Sequence, residues 1–154
     1  MKSGRWMPIL AAILVLAALA AGCGKVLREH LDIIRASAAL GDRDMQQLLG
    51  DIYMQGHGGV PLDYAEAAKW YRKAAEQGSA AAQNNMGVFY VWGYGMPQDS
   101  VEAYAWFSIA AGQGFFGAAP SRDEAARWMT NVELGRAQVL AAEYRDKYVV
   151  PFRD

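Results

Sequence analysis

From residue 24 onward, apolar positions return every three or four residues, the period at which side chains share one face of an α-helix. The first such stretch covers Gly24–Leu40, with Val26, Leu27, Leu31, Ile34 and Ala38 on its apolar side, and Gly41 ends it. A second helix is predicted over Arg43–Gln55, with Asp42 placed to cap it. Asp63–Gly78 then reads DYAEAAKWYRKAAEQG, and 36 residues later Asp99–Gly114 reads DSVEAYAWFSIAAGQG. In both, an Asp with a Glu three residues on predicts a capped helix start. One carboxylate takes the first amides and the other reaches back. Trp70 with Ala74, and Trp106 with Ala110, sit four apart on one face, where alanines admit a neighbouring helix and the indole fills the gap. Gly78 and Gly114 supply a left-handed stop.

The intervening segments repeat too. LLGDIYMQG and NMGVFYVWG place Gly50/Gly87, Tyr53/Tyr90 and Gly56/Gly93 each 37 residues apart, and one residue less in the second turn accounts for the shorter step that follows. A glycine inside a helix costs about 1 kcal/mol against alanine, so finding one in both copies predicts close contact with the paired helix. Beyond Gly114, two more helices are predicted, with a break near Met129-Thr130, a capping box at Thr130 and Glu133, and apolar faces made by Ala125, Trp128, Val132, Val139 and Leu140. Residues 148–154 read as a loose end. Self-similarity at this period predicts an all-α fold, a short α/α solenoid of helix pairs with capping helices.

Composition narrows the chemistry. The chain has 15 basic and 16 acidic residues, a balance that gives no nucleic-acid surface. One cysteine excludes an intramolecular disulfide, and two histidines leave little material for a metal cluster. His57 lies in the glycine-rich turn Gly56-His57-Gly58-Gly59, which follows a helix rather than a strand and lacks the Gly-Lys-Ser/Thr ending of a phosphate loop. His30 reads as a surface residue. The expectation is a non-enzymatic protein without cofactor or metal.

The start of the chain carries a different signal. Lys2 and Arg5 precede an uncharged apolar run over Met7–Ala21, which ends in Leu19-Ala20-Ala21-Gly22-Cys23. This resembles the bacterial lipobox, with Ala20 where Leu is usual. The resemblance implies cleavage before Cys23, acylation of Cys23 and attachment to a membrane of the cell envelope, facing the periplasm. Gly24 after the cysteine favours the outer membrane. An uncleaved inner-membrane anchor carrying the same module is the alternative.

The repeated unit as a whole resembles the Sel1-like repeat, a relative of the tetratricopeptide repeat. Gly50, Tyr53, Gly56, Asp63, Trp70 and Gly78 fill its pattern once, and Gly87, Tyr90, Gly93, Asp99, Trp106 and Gly114 fill it again. The expected organisation is a lipoprotein-type signal peptide over 1–22, a lipid anchor and N-terminal capping helix over 23–42, repeats over 43–79 and 80–116, C-terminal capping helices over 117–147 and a tail over 148–154. The resemblance implies an adaptor that docks a partner protein or peptide on the concave face lined by the first helix of each pair. Gln47, Asp51, Met54, Asn84, Val88 and Val91 are the positions there not assigned to repeat packing, and Trp92 fits either role. A periplasmic cell-wall ligand binder or a hydrolase of β-lactamase-like type is the alternative. It is weakened because the cysteine-rich relatives linked to penicillin binding carry disulfides inside their repeats, where this chain has no cysteine.

Overall fold

The computed structural model describes residues 29–57 and 59–152. The expected signal segment, Cys23, the first turns of the predicted leading helix, Gly58 and the last two residues lie outside them. Seven α-helices follow one another among the described residues, with no strand. They are α1 (29–39), α2 (Arg43–Gln55), α3 (Tyr64–Glu76), α4 (Ala80–Trp92), α5 (Ser100–Gly112), α6 (Ala118–Ala126) and α7 (Asn131–Tyr148), and a 3-10 turn over Val150–Phe152 closes the chain. Helices α2 and α3 pack as one pair and α4 and α5 as the next. Helix α3 joins the two pairs through α4, while α6 and α7 both rest on α5.

Each pair is held by a ring laid on a helix backbone. Tyr71 and Phe107, 36 residues apart and buried, press against Gly50 and Gly87. A Cβ at either glycine would stand 2.6 Å from the ring, inside any tolerable contact. This is the close approach that the mid-helix glycines predicted. Around it, Ala67, Ala74, Ala103 and Ala110 are all at 0% exposure, so the facing helices meet at backbone distance.

Successive pairs are joined by side-chain amides. The buried Gln83 donates from Nε2 to the carbonyl of Ala75 at 3.1 Å and accepts from Gln113 Nε2 at 2.6 Å. One repeat earlier, Gln46 donates to the carbonyl of Ala38 at 3.0 Å and accepts from Gln77 at 2.7 Å. A second bond recurs at the same step: Arg72 donates to Tyr90 Oη at 2.6 Å, as Arg35 does to Tyr53 Oη at 3.5 Å. Helix α1 thus meets α2 through the contacts by which α3 meets α4. The series stops at α6, where Ala119 stands 36 residues after Gln83 and carries no amide.

Three expectations are corrected. Asp63 and Asp99 do cap their helices, but Glu66 and Glu102 do not reach back: Glu66 pairs with Lys69, and Glu102 accepts from Trp106 Nε1 at 3.1 Å and Tyr144 Oη at 2.9 Å. The reciprocal capping box forms at Thr130 and Glu133, as predicted. Next, Val132 and Val139 face solvent and Trp128 is largely exposed. The stripe that α7 buries passes through Ala137, Ala141, Tyr144 and Tyr148, a four-three-four step that outweighs the isolated valines. Finally, the tail is docked as far as Phe152. Tyr148 stacks on Trp106 with centroids 5.6 Å apart, Val149 is buried, and Phe152 lies against Gly78. That cover also separates the two tryptophans of the repeated motif: Trp106 is fully buried, whereas Trp70 is half-buried, with the Lys73 ammonium 4.2 Å from its ring.

Two measurements check these contacts. Gly87→Ala is expected to lower stability in urea unfolding by about 1–3 kcal/mol, because the collision with Phe107 outweighs the helix propensity gained. Gln83→Leu is expected to cost about 1–3 kcal/mol by the same measurement, since it strands the Ala75 carbonyl and the Gln113 amide.

Candidate functional site

The positions expected to meet a partner divide into two neighbouring environments. In the first pair they are already engaged within the chain, which corrects the expectation that packing leaves them unused. Asp51 accepts from Tyr71 Oη at 2.6 Å, and the Met54 sulfur lies 3.4 Å from the same oxygen. Burial and the bond to Asp51 push the Tyr71 phenol well above the ordinary tyrosine range, so it stays a neutral donor at any physiological pH. Gln47 accepts from Ser79 Oγ at 2.6 Å, and Ser79 caps α4. Gln47, Asp51 and Met54 are therefore half-buried links among α2, α3 and α4.

In the second pair the same positions open onto a groove. Val88 stands 37 residues after Asp51, and Phe107 stands 36 after Tyr71, so the polar pair has become an apolar one. Both line a cavity of 390 Å³ between α4, α5 and α6, together with Val91, Trp92, Ala125 and Trp128. Trp92 is 62% exposed and Trp128 83%. Tryptophans are seldom left so open without a ligand or partner to cover them. Asn84 is half-buried on α4 and is not among the lining residues.

Of the lining residues, the sequence analysis names Val88, Val91 and Trp92 as possible partner positions, reads Ala125 and Trp128 only as apolar faces of the C-terminal helices, and does not single out Phe107 or Glu124. A signal was there: Trp128 lies 36 residues after Trp92, and the fully buried Ala118 lies 36 after Ala82. Residues 116–128 thus keep the register of a first helix although the motif letters are gone. The structure does not bring the histidines to this groove. His30 and His57 sit at exposed positions on α1 and in the turn after α2. Among the described residues no group of three His, Cys, Asp or Glu is placed to hold a metal ion, and no helix is long and apolar enough to cross a membrane.

Comparison with known proteins agrees with the geometry. The family model described as Sel1 repeat matches residues 44–79 and again 80–115. Among solved structures, the chain is similar to a protective antigen present in uropathogenic Escherichia coli strains displaying an SLR fold. The identity is 38% and the TM-score 0.72, over 75% of this chain and 25% of that one. It is also similar to a Sel1 repeat protein from Oxalobacter formigenes, at 42% identity and a TM-score of 0.51, over 53% of this chain and 61% of that one. In both cases the chain falls well short of the other protein's full length. No curated protein sequence matches it. Sel1 repeats are generally protein–protein interaction modules. With two family matches in tandem, ring-on-glycine pairs at the repeat spacing and Sel1-type neighbours among solved structures, this chain carries two Sel1 repeats over residues 44–115.

Proposed function

We infer that the protein is a non-enzymatic docking adaptor of the bacterial cell envelope, which holds a partner protein or peptide against the first helices of its repeats. The observation that carries this reading is the open groove beside α4, which Val88 and Val91 line together with the exposed Trp92 and Trp128. A cleft with large aromatic anchors and apolar walls is the usual centre of a protein-binding surface. Gln47, Asp51 and Met54 supply the polar positions of the preceding first helix, and Asn84 adds a half-buried amide on α4.

The location is part of the proposal. Cys23 is outside the described residues, and its support is the lipobox-like sequence around it. Two or more acyl chains on Cys23 hold the module at a membrane where one would be marginal. The periplasmic face of the outer membrane is the favoured site.

Crosslinking of the tagged protein in cells, followed by mass spectrometry, tests the adaptor. One dominant envelope partner is expected, lost when Trp92→Ala and Trp128→Ala are combined while circular dichroism is unchanged. Crosslinks that ignore this pair of substitutions but vanish with His57→Ala would overturn the assignment. Metabolic fatty-acid labelling tests the anchor: label is expected on the native protein and absent from Cys23→Ser, and label that persists in the variant rules the anchor out.

A further inference from the structure

The groove beside α4 has a chemical bias that narrows its partner, and this inference rests on the docking reading above. At the repeat spacing, Asp51, Val88 and Glu124 fall at one position of three successive first helices, and Gln55, Trp92 and Trp128 at another, Trp128 in the turn just after α6. The middle of the row is therefore apolar, with a carboxylate on each side. Asp51 is tied to Tyr71, but Glu124 lines the groove itself and is the only charged lining residue among the described residues. Helix α4, AAAQNNMGVFYVW, has no charge along its length. Glu124 pairs with Arg127 at 2.8 Å, but both side chains are more than half exposed. A pair of that kind contributes little and exchanges readily for another cation.

The indoles add to the bias. A tryptophan face attracts ammonium and guanidinium groups. The chain already shows this at Trp70, where the Lys73 ammonium sits over the ring. Trp92 and Trp128 are both largely exposed and line the same groove as the Glu124 carboxylate, Val88 and Phe107, within reach of an outside cation.

We propose that this groove captures a basic amphipathic helix of a partner protein. One or two large apolar side chains, three or four residues apart, enter between Trp92 and Trp128. A flanking Lys or Arg meets Glu124 and the indole faces. A helix suits the site because its i and i+4 side chains project together, and 390 Å³ holds a few side chains rather than a folded loop.

The test uses synthetic helical peptides of about 14 residues, one built from Leu and Lys and one from Leu and Glu in the same pattern. Affinity is read by calorimetry, and the site by the indole N–H resonances of Trp92 and Trp128. The Leu/Lys peptide is expected to bind and to move those two resonances, with affinity falling severalfold in Glu124→Gln. The double variant Val88→Asp with Phe107→Tyr copies the first repeat's own pair, so it keeps a packing the fold already uses. It is expected to lose at least tenfold in affinity at an unchanged melting temperature. Equal binding of the Leu/Glu peptide would overturn the basic character of the partner. Affinity unmoved by the double variant would place the peptide elsewhere and remove the groove. Covering of both indoles by a second copy in sedimentation, or by anionic phospholipid vesicles in preference to either peptide, would also overturn it. The peptide outcomes decide the basic helix, whereas the adaptor reading is decided separately, by whether the in-cell crosslinks depend on Trp92 and Trp128 or instead on His57.

Discussion

The fold depends on two aromatic rings pressed against two glycines. Tyr71 on Gly50 and Phe107 on Gly87 set how closely each helix pair approaches, and that distance decides everything packed around them. Interiors close-packed to the density of organic crystals leave no room for an extra methyl at such a contact. The alanines of the motif extend the approach along the pair, and the aromatic side chains of the turns complete it. Tyr94 stacks on Tyr64 at 4.5 Å, so the second turn rests on the start of α3. Local pairs of this kind, each touching only its neighbours, are how solenoids accumulate stability.

Much of this was legible because the sequence could be compared with itself. Identities at a fixed step exposed the helices, their caps and the mid-helix glycines. What the comparison hid were the places where the copies differ in surroundings. Trp70 and Trp106 are the same letter in the same motif, yet α7 and the tail cover only the second. The fate of Val132 and Val139 depended on which stripe of α7 met α5, and period alone favours the longer stripe without the partner helix being known. The tail looked loose because a short run of Tyr, Val, Pro and Phe has no helical period to read.

The candidate site was half visible for the same reason. Val88 and Val91 stood out as non-motif positions on a motif-bearing helix. Trp128 did not, because residues 116–128 have lost the motif letters while keeping their register. Asp51 seemed available because its bond to Tyr71 crosses 20 residues of chain. The pair and its apolar counterpart, Val88 with Phe107, change together between the copies, so one scaffold offers a polar subsite and an apolar one side by side.

The amide joints have a consequence for how such a protein can grow. The contacts that bind α1 to α2, through Gln46 with Ala38 and Arg35 with Tyr53, are those that bind α3 to α4. A duplicated unit inserted between α3 and α4 would find both of its ends already fitted. Helix α6, with Ala119 at the glutamine position, offers no such joint, so growth at that end would bury or destroy the groove. Lengthening is thus confined to the interior, and each added unit would carry the groove one step further from the chain's start. The repeat number becomes a ruler, setting where along the stack the groove falls without altering its lining.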